Sequence, residues 1–333
     1  MSTTYRLMQS NEEVAVLTLW SEVFNVPYHY EQARFRSDPL AHTRTYVAVA
    51  EDGTVLSTLH YLVSLRRDVD GTPRRVGEVD PVATRAEARR QGHAGRLIEL
   101  ALDALRHDGC AWSLLLASGE GRPLYERYGW RSFPERWRQG TILGSPPPGT
   151  HAYTICPYDP RVEPDGWERL GVVAHAYNAT RPLTVARDAD YWQRYAAIRV
   201  SHWITAEGLV ILVAHQSSSD HALRGYAMAN FYDVGFVVRE LAMLPDDSAV
   251  VPELLTRVVQ EAVQRNSPLA GLVNLSYEPQ IGQALAALFG ETLHTRAETG
   301  QLLARTIHPD FTDVQLNAIF ADPRALYSSI DHF

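Results

Sequence analysis

The stretch that most limits how this chain can fold runs from Arg75 to Trp130. An extended run, Val76 to Thr84, leads to a short basic loop, Arg89-Arg90-Gln91-Gly92-His93-Ala94-Gly95, which opens straight into a helix. Leu97, Ile98, Ala101 and Leu105 recur there at the spacing of one buried helical face. A second apolar strand, Trp112 to Ala117, and a short helix carrying Tyr125 follow. A glycine-containing loop that opens a helix is an anion trap. The first-turn N–H groups have no partner within the helix, and the helix dipole favours negative charge there. Gly92 and Ala94 let the backbone close around a diphosphate, while Arg89 and Arg90 add positive charge.

Around this stretch the chain reads as α+β. Thr4 to Met8 alternates as a first strand, and Asn11 caps a helix that reaches about Phe24. Val26-Pro27-Tyr28-His29-Tyr30 breaks that helix, and its aromatic residues are expected to pack the loop or line a pocket. Tyr46–Ala50 and Val55–Leu65 form a hairpin around Gly53, and Asp70-Gly71 turns into the strand Val76–Thr84. Four antiparallel strands, a helix and a further strand predict a mixed sheet.

A chain of 333 residues is expected to hold two domains. Gly144-Ser145-Pro146-Pro147-Pro148-Gly149 can continue neither a helix nor a central strand. The expected domains are therefore 1–143 and 151–333, with 144–150 as the linker. The second half also reads as α+β, with helices at Trp167–Tyr177, Asp190–Ile198, Val251–Gln264 and Gln280–Phe289. Its strands are expected at His202–Thr205, Leu209–His215, Gly225–Tyr232, Phe236–Leu244, Gly271–Ser276 and Gln301–Thr306.

Arg89-Arg90-Gln91-Gly92-His93-Ala94 resembles the acyl-CoA signature of the GNAT N-acetyltransferases, Arg/Gln-x-x-Gly-x-Gly/Ala. Leu124-Tyr125-Glu126-Arg127-Tyr128-Gly129-Trp130 resembles that family's later signature, a Tyr followed by Gly-aromatic. The two stand in the family's order, separated by one helix and one strand. The resemblance implies a GNAT acyl-CoA fold for the first domain, with acetyl-CoA as co-substrate. It implies that Val82, Ala83 and Thr84 hold the pantetheine arm and that Arg89, Arg90, Gln91, Gly92, His93, Ala94 and Gly95 hold the diphosphate. His93 reads there as a loop donor. It further implies Tyr125 as the general acid at the sulfur and Glu78 as the first choice of general base, with an edge carboxylate as the other reading of Glu78. Asp80 shares the strand face of Glu78 and is the alternative base or the seat of a substrate ammonium.

In the second half, Val237 to Leu244 leading into a helix is similar to the family's fourth strand and helix. The loop between, Pro245-Asp246-Asp247-Ser248, places acid where a diphosphate would sit. A degenerate GNAT-like second domain, without a cofactor site and shaping the acceptor site, is therefore expected. Gly92–Ile98 and Gly119–Trp130 look similar to the fungal lysine N6-acetyltransferases, which implies lysine or a related amino acid as acceptor. Tandem layouts also occur in aminoglycoside acetyltransferases of the enhanced-intracellular-survival type, which use a terminal Phe carboxylate in the active site; this chain ends in Phe333.

The expected activity is acetyl transfer to the primary amine of a small cationic molecule. Acetylation of protein lysines or N-termini, acetylation of an aminoglycoside, and a non-catalytic acyl-CoA sensor remain the alternatives. A net charge of −8 argues against a nucleic-acid partner and suits a cationic one. No HExxH, Cys/His cluster, P-loop, dinucleotide fingerprint or Gly-x-Ser-x-Gly elbow is present, so no metal, ATP, NAD or serine-hydrolase chemistry is expected. The two cysteines, Cys110 and Cys156, supply no disulfide framework. No apolar run approaches the ~18–20 residues that span a bilayer, and the N-terminus lacks a secretion signal. A cytoplasmic monomer or homodimer is expected.

Overall fold

The computed structural model describes residues 2–144, 152–216, 222–296 and 300–331. The first half builds β1 (Thr3–Leu7), α1 (Glu13–Phe24), α2 (Tyr28–Ser37), α3 (Ala41–Arg44), β2 (Thr45–Ala50), β3 (Val55–Arg67) and β4 (Pro73–Thr84). Next come α4 (His93–His107), β5 (Trp112–Leu116), α5 (Arg122–Arg127), β6 (Arg131–Ser132) and β7 (Trp137–Thr141). The second half contributes β8 (Tyr153–Pro157), α6 (Gly166–Asn178), a wide π-type helix (Tyr191–Val200), α7 (Ser201–Ala206), β9 (Val210–Gln216), β10 (Leu223–Tyr232) and β11 (Gly235–Met243). It ends with α8 (Val250–Gln264), β12 (Ala270–Asn274), α9 (Pro279–Phe289), β13 (His294–Thr295), β14 (Leu302–Thr306) and α10 (Asp313–Ala321).

Two seven-stranded sheets result, ordered β1-β2-β3-β4-β5-β14-β6 and β8-β9-β10-β11-β12-β7-β13. The second order repeats the first. In each, four antiparallel strands are followed by a helix and a strand that returns parallel to the fourth. The two halves exchange one strand: β7, early in the chain, pairs with β12 and β13, while β14, late in the chain, lies between β5 and β6. Strand pairing therefore crosses the expected 144–150 linker in both directions, and residues 145–151 lie outside the described ones.

The faces of the first sheet are covered as its periodicity requires. Leu97, Ile98, Ala101 and Leu105 of α4 pack with Leu59, Tyr61, Val79 and Leu115. On the other face Val16, Leu17 and Trp20 of α1 cover Val47, Val49, Val55 and Ala83. Further along that face, Leu114 of β5 and Leu302 and Ala304 of β14 pack under Leu316, Ile319 and Phe320 of α10. Around the second sheet α6 and α8 pack against β10 and β11.

Two local expectations give way to packing. Tyr28 starts a helix, α2, after Pro27 ends the preceding turn. The strand expected at His202–Thr205 is helix α7. The buried positions Trp192, Tyr195, Ala196, Arg199, Val200 and Trp203 recur every three to four residues, so a continuous helical face outweighs the short β-prone run.

Candidate active site

β4 and β5 run parallel only from the pair Val76–Trp112 to the pair Glu78–Leu114. Past Glu78 they part, and β5 keeps its other edge on β14. On the far side, β4 stays on β3, but the pairs Leu59–Val82 and Tyr61–Val79 leave His60 alone opposite Asp80 and Pro81. That bulge re-aims the strand where the gap opens, and Pro81 has no N–H to strand there. Val82, Ala83 and Thr84 thus border the gap, with no strand paired to that edge among the described residues.

The N-terminus of α4 faces the same end of the sheet. Gly92 holds φ +87°, a left-handed conformation that a side chain disfavours, and gives no side-chain cap to the helix. The first backbone bond of α4 runs from the Arg96 N–H to the Gly92 carbonyl at 3.1 Å, so the amides of residues 93–95 have no backbone partner among the described residues. Arg89, Arg90 and Gln91 surround them, exposed. Gly95 is needed for a close approach, since a Cβ there would lie 2.8 Å from the Tyr128 hydroxyl. The His93 ring is turned inward and meets the Tyr5 hydroxyl through Nδ1 at 2.9 Å. Its backbone amide, not its ring, is what it can offer an anion. At α8 the corresponding amides are already used: Val250 donates to the Asp247 carbonyl at 2.9 Å and Val251 to that of Ser248 at 3.2 Å.

The two sequence-nominated carboxylates have different fates. Glu78 is buried in a two-point pair with Arg66, with Oε1 2.9 Å from Nε and Oε2 3.0 Å from Nη2, and it also accepts from the Ser64 hydroxyl. Burial raises its pKa from the ordinary carboxylate value, against the pull of Arg66. Asp80 is only partly buried and reaches α2, where Arg34 donates to its Oδ2. Burial raises its pKa too, with Arg34 opposing. Glu31 stands behind Arg34 at 3.6 Å, and its buried Oε2 accepts no hydrogen bond among the described residues. Desolvation raises the Glu31 pKa, and the negative charge of Asp80 adds to that rise.

Tyr125 lies on α5, its ring edge-on to Trp130 with centroids 6.1 Å apart. Its hydroxyl has no hydrogen-bond partner among the described residues and senses the Asp80 charge. Burial first, and that charge second, push its pKa well above the ordinary value. Acid and base candidates therefore approach the gap from opposite faces of the sheet, Asp80 from the α2 side and Tyr125 from the α4 side.

Residues 4–133 match the acetyltransferase (GNAT) domain family. That stretch is a GNAT acetyltransferase domain. No curated protein matches the chain in sequence. A GCN5-related N-acetyltransferase from Kribbella flavida matches in structure with TM-score 0.67 and 15% identity, over 92% of this chain and 71% of that one. One from Anabaena variabilis gives TM-score 0.68 and 14% identity, over 92% and 73%. Eis1 from Mycobacterium abscessus gives TM-score 0.60 and 16% identity, over 92% and 74%. At such identities the likeness is one of fold. With its GNAT domain the chain is an acyl-CoA-dependent N-acyltransferase.

The GNAT geometry brings together Asp80, Tyr125, the free edge of Val82–Thr84 and the open amides of α4. It closes Glu78 away from them. Glu31 and Arg34 were not foreseen, because they lie just past the helix break read at Val26–Tyr30, in a stretch assigned no element; their Glu-x-x-Arg spacing on one helix face was the available signal. Glu78→Gln is expected to behave as a broken buried ion pair, costing about 3 kcal/mol or roughly 6–12 °C in melting temperature. The acidic limb of the pH–rate profile should stay in place. Unchanged melting with a flattened limb would return the base role to Glu78. The expectation attached to Phe333 lies outside the described residues.

Proposed function

We propose that the chain moves the acetyl group of acetyl-CoA directly to the primary amine of a small molecule, with lysine or a related amino acid as the nearest class. The observation that carries this reading is the meeting of Asp80 and Tyr125 at a sheet gap beside an uncapped helix N-terminus. The co-substrate supplies a thioester-activated acetyl group. The open amides of residues 93–95, with Arg89 and Arg90, hold the diphosphate, and the free edge of Val82–Thr84 takes the pantetheine amides.

A lysine-type amine with pKa near 10.4 is neutral in only about 1 molecule in 2,500 at pH 7, a deficit of roughly 4.6 kcal/mol. Asp80 takes the proton that the ammonium must lose, and its raised pKa suits that task. The amine nitrogen then forms the C–N bond as the C–S bond breaks, the Tyr125 O–H supplies a proton to the leaving sulfur, and the second proton shed by the acylated nitrogen restores the Tyr125 hydroxyl while Asp80 passes its proton to solvent. The second domain covers the acceptor side, which favours a small amine over a protein chain.

The direct test is a calorimetric titration of acetyl-CoA together with thiol release across a panel of amines. Saturable binding and amine-dependent thiol release are expected. Ala94→Glu, which sets a carboxylate over the open amides, should weaken acetyl-CoA binding at least about tenfold. Binding without turnover on any amine would favour a sensor, and binding indifferent to Ala94→Glu would place the coenzyme elsewhere.

A further inference from the structure

A cavity of about 360 Å³ lies between the two sheets, on the sheet face from which Asp80 is approached. It is bounded by Leu116, the last residue of β5, and by Tyr30, next to Glu31 on α2. Tyr327, also in its wall, feels the charges of both Glu78 and Asp80. The remaining walls mix apolar and aromatic residues, among them Trp137, Leu183, Trp203 and Phe320, with the polar Asn274, Gln301 and Ser329. Such a volume accepts one small molecule.

Its charge is opposite to that of the chain. The protein carries −8 overall, yet three guanidinium groups line this cavity, from Arg136, Arg239 and Arg296, against two carboxylates, Glu135 and Glu207. Arg136 is committed, its Nη2 donating to the carbonyls of Phe320 and Asp322 at 2.8 and 2.7 Å. Arg239 is not. Its Nε and Nη2 hold neutral acceptors, Asn230 Oδ1 at 3.0 Å and the Tyr232 hydroxyl at 2.9 Å. Its Nη1 has no partner, and no carboxylate lies within ion-pair distance, among the described residues. The same guanidinium sits over the Trp203 ring at 5.6 Å. Trp203 is only 9% exposed, and its indole N–H, a donor that can do nothing else, has no acceptor among the described residues. A buried donor without an acceptor costs free energy that a ligand oxygen would recover.

We propose that Trp203 and Arg239 form a seat for an anionic group, carboxylate or phosphate, on the amine acceptor, so that the acceptor carries an amine at one end and an oxyanion at the other. This rests on the acetyl-transfer reading for the word acceptor, but the anion seat itself can be tested without turnover. Both groups are donors only, one charged and one neutral, and together they match the two oxygens of a carboxylate. The partly apolar walls then suit the body that joins the two ends.

The test compares twins that differ only in the anion, titrated calorimetrically into the protein with coenzyme A present so that no transfer occurs. Lysine is set against cadaverine, phenylalanine against phenethylamine, and O-phosphoethanolamine against ethanolamine. The anionic twin is expected to bind at least about tenfold tighter in one or more pairs. Phenylalanine and lysine winning points to a carboxylate, and phosphoethanolamine alone winning points to a phosphate. Arg239→Gln should erase the preference, and Trp203→Phe, which keeps the ring and removes only the N–H, should reduce it about threefold or more. Equal binding within every pair, no binding, or a preference that survives both substitutions overturns the seat. A preserved preference with no acetyl transfer to any amine would sink the acetyltransferase reading and leave the seat standing.

Discussion

Asp80→Asn is expected to lower kcat/KM for the amine by about 10²–10³, within the range of a positioned general base. The substitution keeps size and a hydrogen-bond acceptor for Arg34, so the fold should hold. The sharper signature is in pH. A base works only when ionised, so the wild-type rate rises with pH through the Asp80 pKa, which burial has lifted above the ordinary carboxylate value, and then levels. In the Asn variant the neutral amine comes only from bulk ionisation. Its log rate should climb with unit slope up to the acceptor's own pKa, with no earlier plateau. Steady-state rates from pH 5 to 10 on both proteins decide the matter. A variant within twofold of wild type, with the same profile, would take the base role away from Asp80. Glu31 sharpens the comparison, because its raised pKa is tied to the Asp80 charge. Removing that charge should let Glu31 ionise at lower pH and pair more fully with Arg34, which helps the variant remain folded.

The legible part of this molecule was the part written in local chemistry. Gly92 needs a left-handed backbone, α4 has one apolar stripe, and Tyr125 sits in a short motif, so loop, helix and candidate acid could all be read from residue order. The apolar periodicities of the second half gave most of its strands and helices for the same reason, helix α7 excepted, where a long-range buried face decided. What sequence could not supply was pairing at a distance. The exchange of β7 and β14 depends on which open sheet edge each strand meets, and neither strand encodes its partner. Glu78 and Asp80 stand two residues apart on one strand, yet Arg66 on β3 closes the first while a bulge and Arg34 on α2 hold the second at the gap. The second half's contribution to the cavity was likewise out of reach. Trp203 and Arg239 lie far apart in the chain and meet only because the π-type helix runs on into α7 beside β11.

Tyr125→Phe is the complementary experiment, expected to reduce kcat about 10²-fold while the Kd for acetyl-CoA stays within twofold. Its ring is held by the edge-on contact with Trp130 and the α4 core, contacts that phenylalanine keeps. Its hydroxyl has no protein partner among the described residues, so removing it leaves no orphaned group behind and little stability should be lost. Only the proton offered to the departing sulfur disappears. Because burial and the Asp80 charge both disfavour the phenolate, the tyrosine stays protonated well past the ordinary tyrosine value near pH 10. The wild-type profile should therefore show no alkaline fall below that point, and any fall seen at pH 8–9 would belong to another group. A leaving thiol of lower pKa needs less help from an acid. An acetyl thioester of an acidic aryl thiol, if accepted, should shrink the gap between Phe variant and wild type, whereas a purely structural role for Tyr125 would leave the gap the same for both thioesters.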